Sequence, residues 1–198
     1  MSGIYERHAV LPLPGPEQVQ ALGVAELEGF LQERYRLIRR AESDPLRFGW
    51  EPPVWHLCDC LLGFEWVDPE EARGVREALG FDRPVSTLLI NGGNRAGKSE
   101  YAAKRLNMIL SRKDGARAWA FQSSAGNSVE MQQPVVYRYL PVEWRREVKS
   151  SVAYISYKQK MGFSEGRFVC DNASECTFRN YEQEKTKIEG GECDGLGG

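Results

Sequence analysis

The most specific signal in this 198-residue chain is the octapeptide Gly92-Gly93-Asn94-Arg95-Ala96-Gly97-Lys98-Ser99. It follows the pattern G-x-x-x-x-G-K-[ST], in which a glycine-rich turn directs successive backbone N–H groups toward a phosphate. Residues 85–90, directly before it, form an apolar, partly β-branched run that predicts a buried strand. After it, Ala102, Leu106 and Ile109 recur at the spacing of an amphipathic helix. Strand, glycine turn and helix are the context that this motif needs.

The residues of the octapeptide have distinct chemical roles. Gly92 and Gly97 permit backbone angles and a close approach that a Cβ atom would forbid. Lys98 supplies a flexible positive charge for the β- and γ-phosphates, and the Ser99 hydroxyl suits a Mg²⁺ ion. We therefore predict ATP and Mg²⁺ as cofactors, with Ser99 as a metal ligand. The predicted cofactor-binding residues are Gly92, Gly93, Asn94, Arg95, Ala96, Gly97, Lys98 and Ser99.

Arg95 is the unusual member of this loop. A guanidinium at this position can reach the γ-phosphate with two hydrogen bonds. On the residues alone, a solvated loop arginine, or one paired with a nearby carboxylate, is an equally good interpretation.

The charge and hydropathy of the chain limit the classes of protein to which it can belong. The formal net charge is −2, so the whole chain has no electrostatic preference for nucleic acid or anionic lipid. Seven basic and three acidic residues between Arg138 and Arg167 give a local excess of +4, which only suggests a DNA-binding surface. No apolar run approaches about 18 residues, and the first residues lack a secretory signal. We expect no membrane span and a cytoplasmic location.

The five cysteines indicate reduced thiols, because their number is odd and none forms a C-x-x-C pair. His56, Cys58 and Cys60 lie close together in sequence. Their spacing differs from that of the common zinc sites, which favours a partly buried structural stretch over a metal site.

Residues 1–84 are predicted to form a mainly helical segment after a proline-rich, extended stretch at 10–16. Apolar residues at helical spacing predict a helix over 24–40, whose arginines we expect to face solvent. Asp68 as an N-cap and Gly80 as a stop delimit a second helix. Its expected buried face consists of Ala72, Val75 and Leu79.

Further elements are predicted around the octapeptide. The aromatic and proline-rich segment 48–55 either stacks on an adenine ring or fills the edge of the core, and we favour the second interpretation. Residues 116–121 predict a second core strand, followed by a helix that is broken by Pro134. Short strands are expected within 152–157 and 167–170.

Nucleotide hydrolysis needs a carboxylate at the end of an apolar strand, usually beside a glutamate that orients water. No run of four apolar residues followed by Asp-Glu occurs in the sequence. The nearest candidate is Phe168-Val-Cys-Asp171, which is more typical of the end of a peripheral strand. We therefore expect the chain to be a truncated part of a longer protein.

Residues 91–100 resemble the Walker A motif of the large terminase subunit of tailed bacteriophages, where an arginine commonly lies inside the loop. A second block, 176–183 followed by Ile188-Glu-Gly190, is similar to the family's segment upstream of Walker B. On that alignment residues 193–198 correspond to the start of the Walker B strand. The resemblance covers about residues 85–198, strongly in the first block and loosely in the second.

The resemblance implies a fold class and an activity. The fold would be α/β: a RecA-like P-loop NTPase with a mainly parallel sheet flanked by helices, preceded by the helical segment. The domains would be residues 1–84 and a partial ATPase core at 85–198. Lys98 and Arg95 would be catalytic, with Arg95 stabilising charge on the γ-phosphate. The implied function is an ATPase that drives DNA translocation into a procapsid in the bacterial host cytoplasm.

The implied partners are double-stranded DNA, the small terminase subunit and the portal or procapsid, with a homo-oligomeric ring in the full-length protein. The family's nuclease domain is absent, so we expect this chain to bind nucleotide weakly and to hydrolyse it slowly or not at all. Two alternatives stay open. One is another P-loop NTPase, either a helicase-like motor or a small-molecule kinase, and the other is a nucleotide-binding module without turnover.

Overall fold

The computed structural model describes residues 15–93 and 96–181, and the backbone of residues 195–197. Contacts divide the chain into two compact units, and the division falls between Gly93 and Asn94. The predicted domain boundary lay between residues 84 and 85. Residues 10–14 of the proline-rich stretch lie outside the described residues, as do residues 182, 183 and 188–190 of the second block of the family resemblance.

The first unit is helical in its described part. Its helices are α1 (Pro16–Ala21), α2 (Val24–Ser43), α3 (Pro45–Phe48), α4 (Pro53–Leu62) and α5 (Pro69–Ala78). Every helix except α2 has a proline in its first turn. The first N–H groups of a helix have no partner within the helix, so a proline there sets the start without losing a hydrogen bond.

Helix α5 begins as the sequence indicates, because the Asp68 carboxylate accepts a 2.9 Å hydrogen bond from the backbone N–H of Glu71. Ala72 is buried and Val75 packs beside it on a small core that includes Cys60. Leu79 is 49% exposed, so its predicted burial is wrong. The physical reason is that Leu79 caps the helix after Ala78 with φ −99° and ψ 4°, and therefore no longer follows the helical face.

Helix α2 covers the predicted span 24–40 and extends it to Ser43. None of its residues is buried, and Leu31, Tyr35 and Ile38 of the apolar stripe stay exposed. Its arginines lie largely at the surface, where Arg36 pairs with Glu33 at 2.5 Å.

The strand predicted over 85–90 is wrong. These residues have no regular secondary structure, and Leu89 is 90% exposed. The backbone N–H of Val85 donates a 2.9 Å hydrogen bond to the carbonyl of Leu61, so the start of the segment is bonded to the end of α4. An apolar, β-branched run becomes a strand only where neighbouring strands supply hydrogen-bond partners, which local sequence cannot specify.

The aromatic segment 48–55 contributes to the core of the first unit through Trp55, which is 6% exposed, whereas Trp50 is 60% exposed. In the adjoining helix α4, His56 Nε2 lies 2.8 Å from Glu71 Oε1 and 3.5 Å from Cys60 Sγ. Over the residues that the structure describes, no three His, Cys, Asp or Glu side chains are grouped to hold a metal ion.

The second unit combines helices with a sheet. Its helices are α6 (Lys98–Arg112), α7 (Ala125–Asn127), a π-helical turn (Ser128–Gln132) and α8 (Gln133–Tyr139), with 3₁₀ turns at Val142–Trp144 and Ser164–Gly166. Its strands are β1 (Arg117–Gln122), β2 (Val148–Lys149), β3 (Tyr154–Ile155), β4 (Tyr157–Lys158), β5 (Gly162–Phe163), β6 (Arg167–Val169), β7 (Glu175–Asn180) and β8 (Gly195–Gly197). The helix predicted after the octapeptide and the strand predicted at 116–121 are confirmed.

The main sheet has the strand order β2-β3-β6-β7-β1-β8. Strand β1 is parallel to β7, from Arg117 opposite Glu175 to Gln122 opposite Asn180, and parallel to β8. The other pairings of this sheet are antiparallel, and β4 and β5 form a separate antiparallel pair. The described sheet is therefore mixed, whereas the sequence predicted a mainly parallel one, and its parallel part is β7-β1-β8.

The core of the second unit lies between α6, α8 and the sheet. Ala118 and Ala120 of β1 are buried with Leu106 and Leu110 of α6 and Phe168 of β6. Small alanines at alternate positions of β1 let the helices approach the sheet closely, because alternate residues of a strand share one face.

Pro134 does not break the helical run as predicted. The chain passes from the π-helical turn into α8, and Pro134 lies in the first turn of that helix. A proline is accommodated there because its ring fixes a helical φ and its missing N–H falls at a helix start. In the described part of the chain, no helix has the length and apolarity needed to cross a bilayer.

Candidate functional site

Gly97 starts helix α6 in a left-handed conformation, with φ 79° and ψ 10°. Its carbonyl accepts a 2.9 Å hydrogen bond from the N–H of Tyr101, so the helix begins directly at this residue. A side chain at Gly97 would be strained in this conformation, which explains why the motif needs glycine here. The following residues Lys98 and Ser99 belong to the first helical turn, where N–H groups have no partner within the helix and the helix dipole favours an anion.

Ser99 lines a small cavity of about 90 Å³ at the carboxyl end of β1. Gln122, the last residue of that strand, and Gln132 of the π-helical turn line it as well. The remaining lining is largely apolar and includes Leu106 and Val136. Since a water molecule occupies about 30 Å³ of liquid, this volume corresponds to about three water molecules, which is room for an ion with part of its hydration shell or for one phosphate group.

Hydrogen bonds fix one wall of the cavity. Gln132 Nε2 donates to the carbonyl of Phe121 at 2.9 Å, and Gln132 Oε1 accepts from Ser128 Oγ at 3.1 Å. Gln133 Nε2 also donates to Ser128 Oγ, at 3.1 Å. The π-helical turn is thus bonded to β1 beside Ser99, and ligands of α/β sheets commonly bind at such strand ends.

Sequence reasoning missed Gln122 and Gln132. The only signal available for Gln122 is a polar residue at the end of an apolar strand, since parallel strands present their carboxyl ends to ligands. Nothing in the sequence marks Gln132, because its position depends on the π-helical geometry of residues 128–132.

The structure describes some of the other residues of the octapeptide and not others. Lys98 is half-buried at the start of α6 but does not line the Ser99 cavity. Gly92 and Gly93 are exposed and belong to the first unit, whereas Ala96 to Ser99 belong to the second. Asn94 and Arg95 lie outside the described residues, so the role predicted for Arg95 stays a prediction.

Asp171, the nearest candidate for a Walker B carboxylate, lies at the wrong edge of the sheet. Strand β6 is antiparallel to β7, and Val169 at its end pairs with Glu175 at the start of β7. Asp171 therefore follows at the amino ends of β7 and β1, opposite to the edge where Ser99 meets Gln122. It pairs with Arg146 at 3.1 Å on the surface.

Strand β8 borders β1 on the side away from β7. Its three residues pair parallel with β1, Gly195 opposite Ala118 and Gly197 opposite Ala120. Its carboxyl end therefore points to the same edge of the sheet as Gln122.

Comparison with known proteins gives no match: no family model, no curated protein and no solved structure is significantly similar to this chain. The candidate site therefore rests on the octapeptide, the left-handed Gly97 and the cavity beside Ser99.

Proposed function

We propose that this chain is the ATP-binding portion of a large terminase subunit of the phage or prophage type. In the full-length protein its ATPase would drive double-stranded DNA into a procapsid, together with the small terminase subunit and the portal, in the bacterial cytoplasm. The observation that carries the proposal is the octapeptide, whose Gly97 starts α6 in a left-handed conformation and whose Ser99 lies at the carboxyl end of β1.

The proposal assigns a role to each residue of the site. The first turn of α6 presents backbone N–H groups to a phosphate, and Lys98 adds a positive charge. The Ser99 hydroxyl lines a cavity with room for a Mg²⁺ ion and part of its hydration shell, and this ion would neutralise charge on the β- and γ-phosphates. Arg95 would stabilise charge on the γ-phosphate from within the loop.

A nucleotide-binding module without turnover is the second candidate. One observation favours it: among the described residues, no carboxylate lines the Ser99 cavity, and Asp171 lies at the opposite edge of the sheet. A chain whose site has no further residues than those described would bind MgATP and leave the γ-phosphate bond intact, because a base or a metal-holding carboxylate is needed to cleave it.

The test compares the full chain with its Lys98→Ala variant in equilibrium titrations with ATP, with and without Mg²⁺. Lys160→Ala is the matched control, because it removes the same charge from an exposed turn of the second unit. We expect Lys98→Ala to weaken binding at least about tenfold, since a hydrogen bond to a charged group is lost, and Lys160→Ala to leave it unchanged. Equal affinities of Lys98→Ala and the unmodified chain would refute the site.

Turnover then separates the candidate functions. ATP hydrolysis by the chain, stimulated by duplex DNA, would support the motor. MgATP binding without hydrolysis is expected both of the binding module and of a motor portion that lacks its acidic pair, so only turnover favours one of them. Phosphate transfer to a small acceptor, without any effect of DNA, would indicate a kinase and contradict the terminase proposal.

A further inference from the structure

Helix α2 has an apolar face that the described part of the chain does not cover. Val24, Leu31, Tyr35 and Ile38 are all exposed, Val24 by 77% and Tyr35 by 65%. At about 100° per residue, these four positions fall within about 60° around the helix axis. They define one continuous apolar surface, the exposed stripe. A surface of several large apolar side chains in water is typical of an interaction site.

The exposed stripe is distinct from the face through which α2 packs on its own unit. Leu27, Phe30, Arg34 and Leu37 are half-buried, and their mean direction lies about 90° around the axis from the stripe. A helix that packs against one neighbour needs a single apolar face. Helix α2 therefore has one apolar face for its own unit and a second one for a partner.

The charges of α2 are distributed unevenly along its length. Its first half, residues 24–33, has three carboxylates and no basic side chain: Glu26, Glu28 and Glu33. Its second half, residues 34–43, has four arginines and one carboxylate: Arg34, Arg36, Arg39, Arg40 and Glu42. The helix dipole favours Glu26 and Arg40 in the end turns, but it does not account for the charges nearer the middle. This distribution is complementary to a second copy of the helix that runs in the opposite direction.

Two of these charges border the exposed stripe. Glu28 and Arg39 lie on the same side of it, one in each half of the helix, about 20° and 40° beyond Tyr35 around the axis. Among the residues that the structure describes, neither forms an ion pair, whereas Glu33 and Arg36 on the far side of the helix pair with each other. The charges of Glu28 and Arg39 are therefore available to a partner that covers the stripe.

We infer that the exposed stripe of α2 pairs with the same stripe of a second copy of this chain, with the two helices antiparallel. With a two-fold axis beside residue 33, Leu31 of one copy lies opposite Tyr35 of the other. Glu28 of each copy then lies beside Arg39 of the other, so that every contact is made twice. Such a contact joins two copies only. It therefore differs from the head-to-tail contacts of the ring that the terminase resemblance implies, and it does not depend on the octapeptide.

The size of the surface determines the expected strength of the dimer. Residues 24–42 extend over about 27 Å of helix, which places the contact at the low end of protein interfaces. We therefore expect a dissociation constant of about 1–100 µM. The Glu28–Arg39 pairs are exposed to solvent, so the dimer should weaken as the salt concentration rises.

The test measures the mass of the full chain by sedimentation equilibrium without nucleotide, from about 1 to 200 µM and at about 50 mM salt. We expect a monomer–dimer equilibrium. Glu28→Arg and Arg39→Glu should each weaken the dimer about tenfold, because each replaces two attractive contacts by two repulsive ones. The double variant with both changes should recover the affinity of the unmodified chain, since the two charges are then exchanged.

Two further variants complete the test. Leu31→Ser removes an apolar side chain from the centre of the exposed stripe without changing the charge, and it should weaken the dimer about tenfold. Arg36→Glu is the matched control, because it makes the same change of charge as Arg39→Glu on the far side of the same helix. It should change the dissociation constant less than about twofold. All the substituted positions are exposed, and circular dichroism checks the helix content of each variant.

A dimer that both single charge reversals weaken, and that the double variant restores, supports the inference. A monomer over the whole concentration range would overturn it. So would a dimer that Arg39→Glu affects no more than Arg36→Glu. Failure of the double variant to recover the affinity would also overturn it, because exchange of the two charges restores only an antiparallel pair.

Discussion

The side-chain Nδ2 of Asn107 donates a 3.0 Å hydrogen bond to the carbonyl of Val136, and so joins α6 to α8 within the core of the second unit. The same Nδ2 also donates to the carbonyl of Ala103 at 2.9 Å. Val136 lies in the last turn of α8, where carbonyls lose their intrahelical partners. The Asn107 side chain is fully buried and therefore holds together the two helices that border the Ser99 cavity.

Asn107→Ala should lower the free energy of unfolding by about 2 kcal/mol, because it leaves a buried carbonyl unpaired and creates a small cavity. Urea denaturation monitored by tryptophan fluorescence measures this loss. Asn127→Ala, at an exposed position of α7, is the control and should cost less than about 1 kcal/mol. Similar losses in the two variants would show that the Asn107 bond does not join the helices.

Gly162→Ala should destabilise the chain by about 3 kcal/mol. Gly162 has φ 72°, and an added Cβ would overlap Gln133 Oε1, which accepts a 2.7 Å hydrogen bond from the N–H of Phe163. Gly115→Ala separates the two effects, because Gly115 has φ 67° with open space around it. The control should lose only about 1–2 kcal/mol from the left-handed backbone. Thermal or urea unfolding gives both values, and equal losses would show that the overlap is relieved at no cost.

The stability of the second unit should fall as pH rises above about 8.5, where an exposed thiol ionises. Burial raises the pKa of the Cys170 and Cys176 thiols in the folded chain well above this value. Above about pH 8.5 the unfolded chain therefore releases thiol protons that the folded chain retains. The contribution of these thiols to the stability of the fold is fully present below the thiol pKa of the unfolded chain, and it is lost progressively as the pH rises above that value. Each thiol contributes a slope of about 1.4 kcal/mol per pH unit in that range.

Cys176→Ala isolates this effect from that of other groups that titrate at high pH. Urea denaturation between about pH 8 and 10 should show a shallower decline for the variant than for the unmodified chain, whatever their difference at neutral pH. Parallel pH profiles would mean that the thiol is accessible to solvent in the folded state.

Asp171→Asn should leave ATP affinity unchanged, because Asp171 lies at the edge of the sheet opposite to Ser99. It should also change stability by less than about 1 kcal/mol, since its ion pair with Arg146 is solvent-exposed. The measurement is the same ATP titration as for Lys98→Ala. A loss of Mg²⁺-dependent binding in Asp171→Asn would contradict the strand order described here.

Sequence patterns correctly predicted those elements that depend on interactions between neighbouring residues. The apolar spacing in 98–112 predicted α6, and Asp68 predicted the start of α5, because helical hydrogen bonds and caps connect residues only a few positions apart. Strand assignments depended on distant partners. Residues 116–121 became β1 because β7 and β8 flank them, whereas the similar run 85–90 remained without regular structure.

The sequence by itself determined the octapeptide, the helix that follows it and the need for glycine at position 97, since each depends on neighbouring residues. Only the tertiary structure decided which side chains lie beside Ser99. Gln122 and Gln132 reach it through a strand end and a π-helical turn, and Asp171 is excluded by the antiparallel direction of β6. The physical reason is that sheet pairing joins residues far apart in the chain, and no local pattern encodes its order or direction.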